Sequence, residues 1–180
     1  MHKFKFDKYY FISDYDTNLI KNQDKRTNII FRNYNFEIDR QKIKILRNFC
    51  KKTGNKFYLS NNVKLALDLN LDGAYLPSFN KSCKHLSFKF KKKFILLGSA
   101  HSTKEIKLKE KQGVEYIFLS SIFKKNKNYL GLNKFKLIVK SANSKIIALG
   151  GINNQNLKKL KLTNVSGFSG ISFFQKKRPL

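Results

Sequence analysis

The chain has 180 residues, of which 41% are hydrophobic, and its formal net charge is +27. A chain of this length can bury one sizeable core, so residues 1–180 are expected to form a single domain. No apolar run approaches the ~20 residues of a membrane span, and the first residues lack the apolar core of a signal peptide. We therefore expect a cytoplasmic protein with no membrane partner.

The positive charge would ordinarily indicate a nucleic-acid partner. Only five of the 38 basic residues are arginine, however, and proteins that read bases and phosphates favour the planar arginine fork. The lysine-rich run 89–93 is interpreted as a solvated face. Its alternative interpretation is a nucleic-acid patch in which Phe88 and Phe90 stack on bases. Because the lysines are spread along the whole chain, we expect no specific nucleic-acid partner.

The two cysteines, Cys50 and Cys83, have neither metal-type nor redox-pair spacing. They are expected to be reduced thiols in a cytoplasm, with Cys50 as a small buried side chain. His2 and His85 have no partner suggested by the sequence and are expected to be solvated.

Short runs of β-branched and aromatic residues alternate with amphipathic, lysine-rich segments. This alternation is typical of β-α units around a parallel sheet. The runs predict seven or eight strands, at 9–13, 28–32, 56–60, 73–76, 94–99, 116–120, 145–149 and 167–172. A full (β/α)8 barrel takes ~250 residues. The predicted fold is therefore α/β, a trimmed (β/α)8 barrel of parallel strands.

Helix signals lie between several of these strands. Ile43, Leu46 and Phe49 share one face, with Asp39 as the expected N-cap and Gly54 as the expected end. The later signals are a capping-box pair at Ser102 and Glu105 with Gly113 as the end, an apolar face at Phe135, Ile138 and Val139, and another at Leu157 and Leu160. The crossovers after the first and fourth strands show little helix signal, and residues 175–180 are too few for a full eighth helix.

Two glycine-bearing strand ends follow one another near the end of the chain. Gly150 and Gly151 come after the seventh strand, and Gly170, Ile171 and Ser172 come at the end of the eighth. In a parallel barrel these two loops form the usual phosphate site. The glycines let the main chain approach phosphate oxygens, and the other residues offer N–H donors and a hydroxyl. The predicted ligand is an organic phosphate, and the alternative is a tight strand-to-helix turn.

Several strand ends together resemble the thiamine phosphate synthase family and its sister group, the TenI-type thiazole tautomerases. The most specific segments are 97–102 (LGSAHS), 113–123 (GVEYIFLSSIF), 130–132 (LGL) and 148–152 (ALGGI). The resemblance implies an enzyme of thiamine biosynthesis. Such a synthase joins an aminopyrimidine methyl pyrophosphate to a thiazole phosphate and releases thiamine phosphate and pyrophosphate.

The resemblance also implies roles for individual residues. Arg32 stands where the family has a pyrophosphate-binding arginine, although it is equally placed to pair with a carboxylate such as Glu37. Lys127 approximates the family's catalytic loop lysine, and Ser99 stands at or beside a substrate-binding serine. The thiazole-phosphate cradle corresponds to Gly150, Gly151, Gly170, Ile171 and Ser172.

Other family positions are changed in this chain. The family implies Mg²⁺ as cofactor, but Asn61 and Asn80 stand where its metal-binding carboxylates lie. Neutral amides bind a hard cation more weakly, so no metal ligand is assigned, and Asn61 is kept as a substrate-binding candidate. Tyr34 replaces a lysine that flanks the arginine. Ser121 replaces the histidine of some tautomerases.

Three functional hypotheses remain open. The first, which we favour because Arg32 and the motifs of the second half occur together, is a divergent synthase. The second is a tautomerase-like or other phosphate-ligand enzyme on the same barrel, and the third is a binder of thiazole or thiamine phosphate that has lost the chemistry. His101, between a strand and a capped helix, is expected to act as an acid or base or to bind a phosphate. Its alternative role is local packing or capping.

Overall fold

The computed structural model describes residues 6–34 and 37–175, apart from the side chains of Ser172 and Gln175. Its parallel strands close into a barrel in which each strand pairs with the next and the last pairs with the first. The strands are β1 (Asp7–Ile12), β2 (Thr27–Phe31), β3 (Phe57–Ser60), β4 (Gly73–Leu76), β5 (Ile95–Ala100), β6 (Tyr116–Ser120), β7 (Lys145–Leu149) and β8 (Gly167–Ser169). The predicted α/β barrel is confirmed.

The helices range in length from four residues in the first to 14 in the second. They are α1 (Asn18–Lys21), α2 (Arg40–Thr53), α3 (Val63–Asp68), α4 (Thr103–Lys111), α5 (Gly131–Ser141) and α6 (Ile171–Gln175). The crossovers after β4 and β7 contain only the 3₁₀ turns Lys84–Ser87 and Leu157–Leu162. The trimming predicted after the first and fourth strands is confirmed, but the segment predicted as a helix around Leu157 and Leu160 is a 3₁₀ turn. In the described part of the chain, no helix is long and apolar enough to cross a membrane.

The ends of α2 agree with the sequence prediction. Oδ1 of Asp39 accepts hydrogen bonds from the N–H groups of Gln41 at 2.9 Å and Lys42 at 3.1 Å. Gly54 ends the helix with φ +76°, a left-handed conformation that glycine adopts at little cost. Backbone hydrogen-bonding groups at both ends of α2 are therefore satisfied. The apolar face of this helix, which includes the buried Cys50, packs against the barrel.

The start of α4 differs from the predicted capping box. The Ser102 hydroxyl accepts from the Glu105 N–H at 3.3 Å, as expected. Oε2 of Glu105 instead accepts from the N–H of His101 at 2.8 Å, one residue before the cap. The cap therefore also fixes the backbone of a candidate site residue. Gly113 follows the helix with φ +73°, as predicted.

The barrel interior is filled by side chains and is not a pore. The inward cluster consists of Tyr9, Ile30, Tyr58, Tyr75, Leu97, Phe118 and Ile147. The Phe118 ring makes edge-on contacts with Tyr9, Phe11 and Tyr75, with centroid distances of 5.0, 5.5 and 5.5 Å. This apolar packing closes the barrel below its carboxyl-terminal end.

Two predictions are corrected by the fold. The strand predicted at 167–172 ends at Ser169, because Ile171 already belongs to α6. His85 is not solvated: it is 5% exposed, and its Nε2 lies 2.8 Å from the carbonyl oxygen of Gln112. His2 lies outside the described residues.

Candidate active site at the carboxyl-terminal end of the barrel

The sequence-predicted site residues are brought to one end of the barrel. Because all strands are parallel, their carboxyl ends meet at the same face. The residues in or just after these ends are Arg32 (β2), Asn61 (β3), Asn80 (β4), Ser99 and His101 (β5), Lys127 (β6), Gly150 and Gly151 (β7), and Gly170, Ile171 and Ser172 (β8). Ser172 belongs to α6, but its side chain lies outside the described residues.

Buried serines form the floor of this face. Ser60, Ser99 and Ser120 each follow, by two residues, a member of the inward cluster, so they face the barrel interior. They are 3%, 6% and 8% exposed, and Ser169 from β8 is 2% exposed. We call these four residues the serine floor. Of these four, only Ser99 was predicted as a site residue, although the position of a serine two residues after an inward apolar residue was a readable signal.

Ser99 lies inside β5 rather than after it, and it interacts with the top of the apolar core. Its side chain neighbours the Tyr75 phenol. Burial raises the pKa of Tyr75 to about 12, although the neighbouring Ser99 hydroxyl and the Arg32 charge oppose the shift. The Tyr75 phenol therefore stays protonated and serves as a neutral hydrogen-bonding group beneath the site.

Arg32 is exposed and carries its charge at the rim of a cavity of about 620 Å³. Its guanidinium carbon lies 4.7 Å from the centre of the Phe11 ring, a cation–π contact. Glu37 lines the same cavity, but no ion pair joins it to Arg32 within residues 6–34 and 37–175. The side chain is therefore available to an anionic ligand, and the alternative pairing with Glu37 is not formed.

Tyr34 links the loops that follow β2, β3 and β4. Its hydroxyl lies 2.7 Å from that of Ser60, and its ring makes an edge contact with Phe79 at 5.4 Å between centroids. Burial raises the pKa of the Tyr34 phenol, while the Ser60 hydrogen bond and the Arg32 charge lower it. The neutral phenol of Tyr34 thus stands where the resemblance to the synthase family implies a lysine.

Asn61 and Asn80, predicted separately at the family's metal positions, meet in space. Nδ2 of Asn80 donates to Oδ1 of Asn61 at 2.7 Å. Oδ1 of Asn80 accepts from the N–H of Ser82 at 2.9 Å. Among the described residues, no group of three or more His, Cys, Asp or Glu side chains could hold a metal ion. The pair contributes no carboxylate, and each amide oxygen already accepts one hydrogen bond, so it does not fit a resident Mg²⁺.

Two buried residues, Lys109 on α4 and Gln112 at the C-terminal cap of that helix, fix the loop that carries Asn80. Neither residue was predicted from the sequence as part of the site. Nζ of Lys109 donates to the carbonyl oxygens of Pro77 at 2.8 Å and Asn80 at 2.7 Å, and to Oε1 of Gln112 at 2.8 Å. Nε2 of Gln112 donates to the carbonyl oxygens of Asn80 at 3.1 Å and Ser82 at 2.8 Å. Both residues are 0% exposed. Lys109 and Gln112 follow the buried Ile106 at intervals of three residues, and this spacing was the signal available in the sequence. It was obscured because many other lysines of the chain lie on the surface.

Burial lowers the pKa of Lys109 to about 8, and the negative charge of Glu105 opposes the shift. The ammonium form is therefore still the main one at pH 7. Its three hydrogen-bond partners are all neutral oxygens, so the positive charge is not cancelled by a contacting carboxylate.

The loop after β6 folds back on Ser121. The Ser121 hydroxyl donates to the Lys124 carbonyl oxygen at 2.8 Å, and its N–H donates to the Asn128 carbonyl oxygen at 2.9 Å. Lys127 lies at an exposed position in this loop. Ser121 therefore has a structural role where the tautomerase histidine would stand.

The loops after β7 and β8 carry N–H groups without acceptors in the described part of the chain. These are the N–H groups of Gly150, Gly151, Ile152, Gly170 and Ile171. The strands that carry the loops are neighbours, since Leu149 of β7 pairs with Ser169 of β8. Five unpaired donors at adjacent strand ends are a suitable arrangement for an anion.

The glycines of this region are also required by close packing. A Cβ on Gly150 would lie 2.3 Å from the Ser121 hydroxyl, and one on Gly151 would lie 2.6 Å from the Lys124 nitrogen. A Cβ on Gly170 would lie 2.8 Å from the Ile152 carbonyl oxygen. The absence of side chains at these glycines thus lets the loops pack on one another. The sequence pattern did not reveal this second reason for glycine at these positions.

The aromatic residues of the lysine-rich segment are not free stacking platforms. Phe88 and Phe90 are half-buried and pack against the core. The Phe90 ring stacks on Phe94, with a centroid distance of 5.5 Å and an interplanar angle of 7°. The lysines at 89 and 91–93 are exposed around them, as expected of a solvated face.

Comparison with known proteins identifies the family. The family described as thiamine monophosphate synthase matches residues 23–174. The chain belongs to the thiamine monophosphate synthase family. It is 28% identical over 120 residues to a thiamine-phosphate synthase of Methanococcus vannielii, and 30% identical over 131 residues to one of Prochlorococcus marinus.

The matched part of the chain spans only part of the length of these relatives of the thiamine monophosphate synthase family. The two matches cover 64% and 71% of this chain, but only 58% and 37% of the respective relatives. A solved structure titled thiamine phosphate pyrophosphorylase, from Pyrococcus furiosus, superposes with a TM-score of 0.72 at 23% identity. That alignment covers 92% of this chain and 86% of the other, and it supports the same barrel fold.

Proposed function

We propose that the chain is a divergent thiamine phosphate synthase that acts as a single domain. Family membership over residues 23–174 carries this proposal, on a barrel whose strand ends gather Arg32, Asn61 and Asn80. The substrates would be an aminopyrimidine methyl pyrophosphate and a thiazole phosphate. The site of action would be the cytoplasm, where two unpaired thiols stay reduced.

The proposed reaction is dissociative. The bond between the pyrimidine methylene carbon and the pyrophosphate oxygen breaks, and its electron pair leaves with pyrophosphate. The lone pair of the thiazole nitrogen then forms the new bond to the methylene carbon. Such a step requires positive charge or hydrogen-bond donors around the departing pyrophosphate and a site that excludes water from the cation.

The Arg32 side chain suits the leaving group. Its guanidinium can bind phosphate oxygens in a bidentate manner, and no ion pair with a described residue competes for it. Lys127, exposed in the loop after β6, would add a second, movable cation. These two residues are the proposed catalytic groups, because positive charge stabilises the negative charge that develops on pyrophosphate.

The phosphate of the thiazole substrate is assigned to the loops after β7 and β8. The unpaired N–H groups of Gly150, Gly151, Gly170 and Ile171 would bind its oxygens. The serine floor would lie beneath the reacting centre and contact it with neutral hydroxyls. In this assignment the loop after β8 and Arg32, which follows β2, are separated by β1 alone.

A binder without catalysis is the second candidate, and the neutral pair Asn61–Asn80 favours it, because both family carboxylates are missing. A tautomerase is less well supported. Ser121 stands at the histidine position, and its hydroxyl donates to the Lys124 carbonyl oxygen.

The test is the formation of thiamine phosphate by the purified full chain given both substrates, followed by mass spectrometry with and without Mg²⁺. We expect product only when both substrates are present. Absence of product, together with calorimetric binding of thiazole phosphate, would contradict the synthase proposal and support the binder.

A further inference from the structure

The amide groups of Asn61 and Asn80 are arranged for an anion rather than a cation. The backbone N–H of Ser82 donates to Asn80 at 2.9 Å, which identifies the accepting atom as Oδ1, since an amide nitrogen cannot accept. Nδ2 of Asn80 must then be the atom that donates to Oδ1 of Asn61. Each of the two oxygens that a metal ion would need therefore already accepts one hydrogen bond inside the protein.

The amide groups of Asn61 and Asn80 that make no hydrogen bond to the described residues are N–H donors. We call these two residues the Asn61–Asn80 corner. Asn80 retains one amide N–H, and Asn61 retains both, without an acceptor among the described residues. Asn61 is exposed, and its φ of +60° places it in a left-handed turn directly after β3. Amide N–H groups can donate hydrogen bonds to phosphate oxygens, but they offer no ligand atom to a hard cation.

Lys109 supplies a fixed positive charge behind the pair. Its ammonium lies 2.7 Å from the backbone oxygen of Asn80, and its side chain is 0% exposed. An ordinary surface lysine is screened by water, whereas a buried charge acts over a longer range. A protein-borne cation thus lies beside the loop where the family places a metal-binding aspartate.

We propose that the Asn61–Asn80 corner binds the pyrophosphate group directly through its amide N–H donors, with no Mg²⁺ held by the protein. The inference rests on the proposed function for the identity of the ligand, and it adds what replaces the metal. Arg32, at the end of the neighbouring β2, completes the corner with a bidentate donor.

The first experiment is calorimetric titration of inorganic pyrophosphate into the full chain, once in EDTA and once with magnesium pyrophosphate. We expect binding in EDTA with a Kd within about threefold of the value with Mg²⁺. Binding that occurs only with Mg²⁺ would overturn the proposal.

The second experiment restores the family's charge. Asn80→Asp keeps an oxygen to accept from Ser82, but it replaces the donor with a negative charge. We expect affinity for pyrophosphate in EDTA to fall at least about tenfold, and Mg²⁺ to recover part of the loss. Asn61→Asp, at an exposed turn that tolerates aspartate, should behave in the same way.

The matched control is Asn133→Asp, which adds the same charge at an exposed position on α5. Its pyrophosphate affinity should equal that of the wild type. If both site variants bind pyrophosphate in EDTA as tightly as this control, the proposal is wrong.

The outcomes separate this inference from the proposed function, because pyrophosphate binding needs no turnover. A chain that binds pyrophosphate in EDTA but forms no thiamine phosphate would keep the inference and reject the synthase. A chain that forms product, yet binds pyrophosphate only with Mg²⁺, would keep the synthase and reject the inference.

Discussion

The Ser120 hydroxyl lies 2.9 Å from Nδ1 of His101, so a residue at the end of β6 orients the imidazole that follows β5. The Ser120 carbonyl oxygen lies 3.2 Å from the same nitrogen. The His101 N–H is held in turn by Glu105. With Nδ1 engaged, Nε2 is the ring nitrogen available to a ligand. The contacts of its backbone N–H and of Nδ1 give His101 a local capping and packing role, and Nε2 is the atom that a ligand would contact.

Ser120→Ala should lower the free energy of unfolding by about 1–2 kcal/mol, because it removes a largely buried hydrogen-bond partner of the imidazole. Urea denaturation measures this change. Ser87→Ala removes an exposed hydroxyl that donates to the Lys84 carbonyl oxygen, and it should cost no more than about 0.5 kcal/mol. Equal effects of the two substitutions would show that the Ser120–His101 contact contributes little.

Arg32→Ala should lower the rate of thiamine phosphate formation about a hundredfold, because it removes positive charge from the leaving pyrophosphate. Binding of thiazole phosphate, measured by calorimetry, should change less than about threefold. Arg26→Ala is the control, since Arg26 precedes β2 at the opposite end of the barrel. Equal losses in rate and in thiazole phosphate affinity would instead indicate a structural arginine.

Gly151→Ala should destabilise the protein more than Gly54→Ala, although the two residues share nearly the same φ of +77° and +76°. At Gly54 the nearest atom to a new Cβ is 3.9 Å away, so only the backbone penalty of about 1–2 kcal/mol applies. At Gly151 a Cβ would lie 2.6 Å from the Lys124 nitrogen, which should add about 1–3 kcal/mol. Matching urea midpoints for the two variants would show that the β6 loop moves aside freely.

Cys83 should be the only thiol that reacts rapidly with a disulfide reagent at pH 8. Cys83 is exposed, whereas Cys50 is 1% exposed. Burial, aided by the negative charge of Asp72, raises the pKa of Cys50 to about 12, so its reactive thiolate is scarce. Absorbance should report one thiol in the native protein and two after denaturation in guanidinium. A fast-reacting thiol that remains in Cys83→Ser would contradict the buried position of Cys50.

The strand order and the ends of α2 and α4 were predictable because they depend on local patterns. Alternation of apolar runs with amphipathic segments predicted the barrel, and the caps at Asp39 and Gly54 formed as expected. The eighth strand was predicted too long because Gly170 packs against Ile152 and the chain turns into α6 at Ile171. Asn62, which caps α3 by accepting from the Leu65 N–H at 2.9 Å, was the unread signal of that short helix.

The candidate site was predicted in part. Its members were found because functional residues of parallel barrels follow strand ends, a rule that operates on sequence position alone. Their contacts were not predictable, since hydrogen bonds such as the one between Asn61 and Asn80 join residues far apart in the chain. Lys109 was missed for a related reason: burial distinguishes it from the other lysines, and burial is a property of the packed structure.

By itself, the sequence determined the parallel barrel, the family and the positions of the strand ends, because each follows from periodicity or from short motifs. Only the tertiary structure decided which polar groups remain free. It showed that the oxygens of Asn61 and Asn80 are already engaged, while their N–H donors are not. Hydrogen-bond polarity depends on the three-dimensional neighbours of each amide, and here it determines whether the corner suits a cation or an anion.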